Sequence, residues 1–484
     1  MTFTDFAPDR LLAILPVILL FALAVALLVL DLVWKPSRRR ILGWLAASGV
    51  ALILLATLAF SQPPADEPLV LGGMVRWDWL AFFFTVLILF AAGITCLISI
   101  NVDGVGNRGD YYGLLLVTSL GMVLMASSAD LLMLFLAIET TSIPLYILAG
   151  FLKADDKSVE SGLKYFLFGA VTSAVMLYGF SMIYGFTGET NLYSIAEVIR
   201  ATGLSLLLVG GIAVLVLVGF SFKIAAVPFH FWTPDVYEGA PTPITAYVST
   251  ASKAAGFAVL ARVMLLAFPS IDGFWAAVLA AMAVATMTLG NVLAISQSNI
   301  KRLLAYSSIA HAGYALIGLV ALSVFGVASM MFYLLAYVIT NLAAFAIVIL
   351  FARTAGSEEI ADYAGLSRRS PWLAMALLVA FLSLAGMPPL AGFVAKIYVF
   401  AAAVDSGLIW LAFIGVLNAI VGLYYYLTVL KVVYLYRSED EDIPISVPRP
   451  YAVALAACTV LILAVGIISA PWLNWSIGAA RSLF

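Results

Sequence analysis

Apolar stretches recur along the whole chain and are separated by short polar breaks. About 20 helical residues cross the ~30 Å hydrocarbon core of a bilayer, and most of these stretches reach that length. The pattern therefore predicts an all-α polytopic membrane protein with fourteen transmembrane helices. We expect these helices at residues 11–33, 41–60, 79–100, 111–127, 130–152, 161–186, 204–227, 242–268, 274–296, 301–323, 328–353, 371–404, 407–436 and 451–474.

Proline interrupts two of the predicted helices. The seventh contains Lys223 and reaches Pro228 near its end, and the long twelfth is cut at Pro388 and Pro389. Proline removes a backbone donor and clashes with the preceding turn, so a helix bends or stops there. Non-helical backbone at membrane depth persists only against protein or a wet cavity, and transporters place their binding sites beside such breaks. These prolines therefore predict two broken helices next to a functional site.

Composition supports the membrane assignment and excludes several other classes. Of 484 residues, 64% are apolar and 10% are charged, against roughly 45–50% and 25% in soluble domains. The net charge of −2 and the lack of a basic tail argue against nucleic-acid binding. Cys96 and Cys458 stand alone in apolar stretches, and neither a C-x-x-C pair nor a Walker motif occurs. We therefore expect no cofactor and no metal in this chain.

Lysine and arginine are distributed unequally between alternate loops. Sixteen of the 24 lie on one side and five, including Arg262, on the other, while Lys223, Lys253 and Lys396 lie within predicted helices. Because cytoplasmic loops carry the excess of Lys and Arg, we expect the richer side in the cytoplasm. An even number of helices then places both termini on the outer side of a bacterial plasma membrane.

Four charged residues are predicted within the membrane: Glu139, Lys223, Lys253 and Lys396. An ionisable group at the bilayer centre costs at least ~2.5–3.5 kcal/mol, so it usually faces protein or water and has a function. Desolvation helps a lysine to release its proton, and a nearby carboxylate opposes release. The four residues therefore predict a proton relay. The alternative is that Glu139 and a lysine form a static pair that holds helices together.

Two predicted helices combine a basic side chain with hydroxyl groups on the preceding turn, and residues at this spacing share one helix face. These groups are Lys253 with Ser249 and Thr250, and His311 with Ser307 and Ser308. Either face could hold a file of water molecules, although His311 could equally be a hydrogen-bonded packing residue. His230 lies in the break after the seventh helix, where it could bind freed backbone carbonyls or support the relay.

Several long motifs resemble the antiporter-like subunits of respiratory complex I. The motifs are K-I-A-A-V-P-F-H-F-W-T-P-D-V-Y-E-G-A-P-T-P at 223–243, S-T-A-S-K at 249–253, N-I-K-R-L-L-A-Y-S-S-I-A-H at 299–311 and G-M-P-P-L-A-G-F-V-A-K at 386–396. The resemblance extends over nearly the whole chain. Within that family, the D-V-Y-E-G-A-P-T-P wording, the lysine at 396 and the chain length are most similar to the subunit N group.

The resemblance implies an architecture and roles for particular residues. It implies three N-terminal helices (11–100), two inverted five-helix repeats (111–268 and 274–436), each with a broken helix, and a C-terminal helix (451–474) within one membrane domain (1–484). It also implies a Glu139–Lys223 pair, connecting residues Lys253 and His311, and a proton-releasing Lys396.

The resemblance further implies the setting in which the chain acts. It would be a proton-translocating subunit of a NADH:quinone oxidoreductase, a translocase, without a redox centre of its own. NADH, FMN, iron–sulfur clusters and quinone would bind partner subunits. The expected neighbours are the M-type antiporter-like subunit, the small J- and K-type subunits, the lateral helix of the L-type subunit and the lipid bilayer. The alternatives are an Mrp-type sodium/proton antiporter subunit or another related secondary cation/proton antiporter, and a scaffold whose charges do not move.

Overall fold

The computed structural model describes residues 8–35, 38–439 and 443–484. Within these ranges, eighteen helices of eight or more residues make up most of the molecule. They are α1 (Leu15–Val33), α2 (Arg40–Phe60), α3 (Trp79–Ser99), α4 (Gly109–Ser127), α5 (Leu131–Ala149), α6 (Asp156–Thr187), α7 (Leu192–Thr202), α8 (Leu206–Ile224), α9 (Trp232–Gly239), α10 (Thr242–Ala267), α11 (Asp272–Ile295), α12 (Ile300–Val320), α13 (Val324–Ala355), α14 (Pro371–Ala385), α15 (Ala391–Asp405), α16 (Ile409–Leu435), α17 (Arg449–Ile467) and α18 (Ala470–Ala480).

The predicted all-α membrane fold is confirmed. Thirteen helices of the described chain are long and apolar enough to cross a bilayer, and they coincide with thirteen of the fourteen predicted spans. The remaining predicted span, the twelfth, consists of α14 and α15. The arrangement of these helices as two inverted repeats stays a prediction.

Both proline-containing breaks occur where the sequence places them. Helix α8 ends at Ile224, and Ala225 caps it with a left-handed backbone (φ 59°). The chain then passes Pro228 in non-helical conformation before α9 begins at Trp232. In the second break, Gly386 (φ 88°) terminates α14. The backbone N–H groups of residues 386 and 387 both bond to the carbonyl of residue 382, which satisfies carbonyls at the helix end.

The C-terminal segment differs from the single helix predicted at 451–474. Helix α17 ends at Ile467, and a second helix, α18, runs from Ala470 to Ala480. Proline at 471 disfavours helical backbone at the residue before it and is well suited to the first turn of a new helix, so the chain divides there. Elements of the described chain outside the predicted spans include α7, α9 and a hairpin of β1 (Leu69–Val70) and β2 (Val75–Arg76).

Three helices form the centre of the bundle. In their most apolar stretches, 89% of α10, 94% of α12 and all of α13 is buried. Helices α11 and α12 approach closely through two glycines: a Cβ on Gly290 would lie 2.6 Å from the backbone nitrogen of Ala310, and one on Gly313 would lie 2.7 Å from that of Met287. Such contacts of small residues let membrane helices pack backbone to backbone. The close packing fixes the position of His311, which lies between these contacts on α12.

Candidate functional site

Lys253 lies at the centre of the bundle, on α10. A π-helical turn, Val248–Ser252, immediately precedes it and widens the helix locally. The side chain is 2% exposed, and its Nζ donates to the carbonyl oxygen of Ser308 (2.5 Å) and to the Oγ of the same residue (2.6 Å). Every hydrogen-bond partner that Lys253 has in the described chain is therefore a neutral group.

The hydroxyl of Ser308 connects four helices. Besides Lys253 on α10, it contacts the hydroxyl of Tyr237 on α9 (3.3 Å) and accepts a hydrogen bond from Tyr337 on α13 (2.9 Å). Asn341 extends the chain of contacts, because its Nδ2 donates to the hydroxyl of Tyr337 (3.1 Å) and to the Oγ of Ser249 (2.8 Å). Hydroxyl groups both donate and accept, so this arrangement is suited to passing protons.

His311 lies one turn further along α12, within a second group of hydroxyls. Its Nδ1 is 2.7 Å from the hydroxyl of Tyr333, and its Nε2 is 3.2 Å from that of Tyr426. Tyr426 is in turn hydrogen-bonded to Ser307. The His311 ring also packs against the ring of Tyr337, with 5.1 Å between their centroids. The set of hydroxyls around His311 therefore lies next to the set around Ser308.

A small cavity lies between His311 and the break that separates α14 from α15. It has room for about one water molecule, and it is bordered by polar side chains, including those of Thr340 and Ser383, as well as by Tyr333 and Tyr337. A space with several polar groups on its wall is one that water can occupy. The cavity therefore extends the polar region from His311 towards the second helix break.

Lys396 lies on α15, across this break, and is 6% exposed. Its Nζ donates to the carbonyl oxygens of Leu384 (2.9 Å) and Ala385 (2.8 Å), at the C-terminal end of α14. The ammonium also lies 5.2 Å from the centre of the Tyr314 ring. A helix C-terminus carries a partial negative charge, so the break itself provides the electrostatic partner of this lysine.

We term Lys253, Ser308, Tyr337, His311 and Lys396, together with the hydroxyl groups bonded to them, the buried polar axis. It joins four of the residues that the sequence singled out and places them in the least exposed part of the molecule. Other predicted residues, among them Lys223, Glu139 and His230, lie outside the axis or only partly contact it.

Lys223 and Glu139 do not form the expected ion pair between them in this structure. The Nζ of Lys223 donates to the Oγ of Ser142 (3.0 Å), one turn beyond Glu139 on α5. Within the described residues, the Oε1 of Glu139 is buried without a hydrogen-bond partner. Lys223 also packs against α10, since a Cβ on Gly256 would lie 3.2 Å from its Cγ. The two charges are thus neighbours, but a serine holds the lysine.

The hydroxyl stripe on α10 is only partly directed into the axis. Thr250 donates back to the carbonyl of Ala246 in its own helix (2.6 Å), while Ser249 both donates to that carbonyl and accepts from Asn341. His230 is buried in the first break, and its Nδ1 has no hydrogen-bond partner in the part of the chain that the structure describes.

Sequence reasoning missed the tyrosines and the asparagine of the axis. Tyr237, Tyr333, Tyr337 and Tyr426 are all buried, and each contributes a hydroxyl to the contacts described above. In one sequence, a buried tyrosine is indistinguishable from a packing or interface residue. A useful signal would have been Tyr333, Tyr337 and Asn341, which are spaced four residues apart on one face of a helix.

Sequence reasoning also missed a buried ion pair, because it assigned Arg262 to the charges of the loops. Its side chain is 1% exposed, and its two terminal nitrogens donate to Asp78 Oδ2 (2.7 Å) and Oδ1 (2.8 Å). Asp78, fully buried, also caps α3 by accepting from the backbone of Ala81. Arg262 therefore pairs with a carboxylate on another helix instead of facing solvent.

A cluster of charges lies where α9 meets the ends of α6 and α12, on the basic side of the molecule. Asp235 accepts hydrogen bonds from Lys164 (2.6 Å) and Arg302 (3.0 Å), and Glu238 accepts from Lys157 (2.8 Å) and Arg302 (2.8 Å). Partial burial raises the pKa of both carboxyls, but the hydrogen bonds from these bases outweigh it, so each pKa lies below its ordinary value. Tyr237, between the two acids, reaches Ser308 of the buried polar axis.

Within residues 8–35, 38–439 and 443–484, the structure contains no group of three or more His, Cys, Asp or Glu side chains arranged to hold a metal ion. The chemistry available in the axis is thus that of ammonium, imidazole, hydroxyl and amide groups.

Comparison with known protein families shows which family contains this chain. The model of the transmembrane family described as "NADH:quinone oxidoreductase/Mrp antiporter, TM" matches residues 128–422, which include Lys253, His311 and Lys396 of the buried polar axis. The chain belongs to the NADH:quinone oxidoreductase/Mrp antiporter family. This confirms the family that the sequence motifs indicated.

Curated members of this antiporter family resemble the chain over nearly its full length. It is 45% identical to NADH-quinone oxidoreductase subunit N of Moorella thermoacetica, over 96% of this chain and 98% of that protein. It is 43% identical to the subunit of the same name from Trichlorobacter lovleyi, over 97% and 96%. The subunit N resemblance is therefore confirmed by proteins of the same length.

Solved structures of the family share the fold. A chain of respiratory complex I from Thermus thermophilus, with bound aureothin, superposes with a TM-score of 0.79 at 35% identity, covering 95% of this chain and 98% of that chain. A chain of the Mrp complex from Dietzia sp. superposes with a TM-score of 0.87 at 22% identity, covering 98% and 97%, which is a similarity of fold.

Proposed function

We propose that this chain is the proton-translocating N-type subunit of a NADH:quinone oxidoreductase. In this proposal it moves protons across the membrane while partner subunits, which hold NADH, FMN, iron–sulfur clusters and quinone, carry out electron transfer. The observation that carries the proposal is the buried polar axis, in which Lys253 and Lys396 have neutral partners and lie on either side of hydroxyl groups, His311 and a small cavity at the centre of a membrane-spanning bundle. The names of the relatives support it.

Proton entry is assigned to the charged cluster around α9. The cluster lies beside a cleft of about 450 Å³, and Tyr237 of the same short helix contacts Ser308, the partner of Lys253. In this proposal the ionised cluster orders water in the cleft, and a proton from that water passes to the Tyr237 hydroxyl and on through Ser308 to Lys253. The cluster belongs to the side that holds most lysines and arginines, which we assign to the cytoplasm, with both termini on the outer side.

The step from Lys253 to Lys396 passes through hydroxyls, His311 and the cavity. Lys253 first holds the proton that arrives through Ser308 and then returns it to that hydroxyl, which passes its own proton on to Tyr337 once the Tyr337 hydroxyl has turned to accept it. Tyr337 and its neighbours relay the proton to His311, and water in the cavity carries it to Lys396. The carbonyls of α14 bind the protonated form of Lys396 more strongly than the neutral form, so this lysine accepts the proton, and its later release to the outer side completes the transfer.

Glu139 and Lys223 form the coupling site in this proposal. Lys223 bonds to Ser142, and Glu139 lies one turn away with a carboxylate oxygen that has no hydrogen-bond partner in the described chain. Movement of the ammonium from the serine to the carboxylate would change the charge next to Gly256, one turn from Lys253 on α10. A change in a partner subunit could therefore alter proton occupancy in the axis.

The outer faces of the bundle are assigned to lipid and to other subunits. Glu139 is half-buried in this chain and lies on a face of α5 that is otherwise exposed and apolar. A carboxylate at this depth needs protein or water beside it. We therefore place a neighbouring membrane subunit there, from the set of M-, J- and K-type subunits and the lateral helix of the L-type subunit.

The test is proton pumping in membrane vesicles that contain the assembled complex. Replacing Lys253→Met, Lys223→Ala or Glu139→Ala should lower NADH-driven proton uptake strongly, while Lys431→Met, an exposed lysine on α16, should not. Full pumping with normal assembly in all three variants would contradict the relay. Pumping that survives replacement of Glu139, Lys223, Lys253 and Lys396 together would favour a scaffold.

An Mrp-type sodium/proton antiporter subunit is the second candidate, because the family model that matches the chain includes both classes. Purification distinguishes them: an oxidoreductase subunit should co-purify with NADH-dependent quinone reduction. Proton movement driven by a sodium gradient, without NADH oxidation, would support the antiporter instead.

A further inference from the structure

A polar cavity that opens to solvent lies on the basic side of the molecule, away from the buried polar axis. It is formed by three parts of the chain that are distant in sequence: the start of α2, the loop between α3 and α4, and the last turn of α13. The side chains that define it are those of Arg40, Asn101, Asp103 and Arg353, beside the backbone of Gly104 and Gly106.

The two arginines of this cavity have no assigned role within the chain. Neither guanidinium makes a hydrogen bond or an ion pair within the described residues, and both are exposed. Other arginines on this side of the molecule do pair, as Arg302 does with two carboxylates. Two unpaired guanidinium groups that border one cavity repel each other, and an anion between them would remove this repulsion.

Asn101 adds a third unsatisfied group. Its Oδ1 is buried and has no hydrogen-bond partner in the part of the chain described by the structure. Buried polar atoms are nearly always satisfied, so an unpaired one calls for a partner. Reversing the amide would turn its NH₂ group towards the cavity and offer a donor beside the two arginines.

The charge and depth of the cavity select the kind of anion. Arg40 and Arg353 with Asp103 give a formal charge of +1, which complements the −1 of a phosphodiester and would leave a phosphate dianion in excess. Guanidinium groups bind phosphate oxygens in pairs of parallel hydrogen bonds. Both arginines lie at ends of membrane-spanning helices, the depth of lipid headgroups. Trp44, one turn below Arg40 and 42% exposed, offers the aromatic surface found at the same level.

We propose that this cavity binds the phosphodiester headgroup of an anionic phospholipid. Arg40 and Arg353 hold the phosphate oxygens, Asn101 donates to the headgroup, and the acyl chains lie along the exposed apolar side of α2, which includes Ile41 and Trp44. The lipid joins the first helices of the chain to the long central helix α13 at the basic membrane surface.

The test counts the phospholipids that stay bound to the full-length chain, in the complex in which it purifies, by native mass spectrometry with added phosphatidylglycerol. The double variant Arg40→Gln/Arg353→Gln should retain one phosphatidylglycerol fewer and bind it roughly 30-fold more weakly, since each basic residue near the membrane surface contributes about a fivefold effect. The matched control, Arg38→Gln/Lys431→Gln, removes the same charge outside the cavity and should retain the lipid.

Two further arms identify the source of the phosphate group. Phosphatidylcholine should not replace phosphatidylglycerol, and millimolar inorganic phosphate should not displace it. Displacement by inorganic phosphate would overturn the lipid assignment in favour of a free anion. Equal lipid counts in the wild type and the Arg40→Gln/Arg353→Gln variant, or equal losses in both double variants, would overturn the site.

Discussion

At the scale of single residues, the buried charges fall into two groups that differ in their partners. Arg262 faces a carboxylate, Asp78, and both are almost completely buried. Lys253 and Lys396 instead meet hydroxyl and carbonyl oxygens. An arginine keeps its charge under all ordinary conditions, while a buried lysine can exist in either protonation state. The arginine pair is therefore suited to holding helices together, and the lysines are suited to carrying a proton.

Because only Arg262 is paired with a buried carboxylate, we expect its replacement to destabilise the protein more than replacement of Lys253 or Lys396. Arg262→Met leaves Asp78 as an uncompensated buried charge, which should lower the free energy of unfolding by about 3–5 kcal/mol. Arg262→Met/Asp78→Ser removes both charges while keeping a residue that can cap α3, and should recover much of the loss. Denaturant unfolding of the purified chain in detergent measures both. Arg200→Met, at an exposed position on α7, is the control. An unchanged stability in Arg262→Met would show that the pair contributes little.

Sequence reasoning identified the residues whose chemistry is rare in a membrane and failed for those whose chemistry is common there. Lys253, His311 and Lys396 were found because charged and titratable groups stand out in an apolar background. Tyr337 and Asn341 were not, since their roles depend on which side chains of other helices they meet. The same dependence explains why Lys223 was expected to pair with Glu139 but bonds to Ser142. The sequence gives the spacing of residues along each helix but not how one helix is rotated relative to the other.

At the scale of helices and breaks, the two interruptions provide the special environments of the polar residues. The second break exposes carbonyls at the end of α14, and Lys396 from α15 binds them. The sequence predicted both breaks because proline forbids regular helix there. The π-helical turn before Lys253 was not predicted, because no proline or glycine marks it. The division after Ile467 was not predicted either, although Pro471 marks it, because the apolar stretch continues across that position.

Gly386 should be essential to the second break for two reasons that can be separated. Its φ of 88° disfavours any side chain, and a Cβ would lie 2.8 Å from Cδ and 3.1 Å from Nζ of Lys396. Gly386→Ala should therefore cost about 1–2 kcal/mol of backbone strain and also displace the lysine from the end of α14. Gly356→Ala is the matched control, because its φ is 70° and no atom lies within 4 Å of the added Cβ.

Both glycine variants should lose similar stability, but only Gly386→Ala should lose NADH-driven proton pumping in vesicles with normally assembled complex. Equal pumping in the two variants would mean that the exact position of Lys396 has no effect on transfer.

Helix α9 should stay tethered until the pH falls well into the acidic range. The pKa values of Asp235 and Glu238 lie below their ordinary values of 3.8 and 4.5. Their ion pairs thus contribute fully above those ordinary values and are lost as the pH falls through the lower values of the folded protein. Backbone hydrogen exchange in α9, corrected for intrinsic rates, should stay constant down to about pH 5 and rise below about pH 4. Arg302→Gln, which removes a partner from both acids, should raise it already at neutral pH. A rise between neutral pH and pH 5 in the wild type would contradict this assignment.

At the scale of the whole molecule, the fourteen predicted spans enclose a mainly apolar interior, and the buried polar axis and the Arg262–Asp78 pair are among its polar groups. Spans could be counted from hydropathy because the bilayer imposes one length on them. Their order around the centre could not be read from hydropathy, since α13, whose apolar stretch is completely buried, is as apolar as helices on the outside of the bundle. Burial of α13 over its whole apolar stretch explains why Tyr337 and Asn341 lie deep within the protein.

The exposed face of α5 should be the contact with another membrane subunit. Leu132, Leu136 and Ile143 are 58%, 62% and 52% exposed, and Glu139 lies on the same stripe between the last two. Because a carboxylate at mid-membrane is costly against lipid, protein should cover this stripe in the assembled complex. A photoreactive benzoylphenylalanine in place of Leu136 should therefore form a covalent adduct with another polypeptide on illumination. Membranes that contain this chain without the other subunits serve as the control and should yield no such adduct. Adducts with lipid alone in the assembled complex would mean that the stripe faces the bilayer, and Glu139 would then need water instead of a partner.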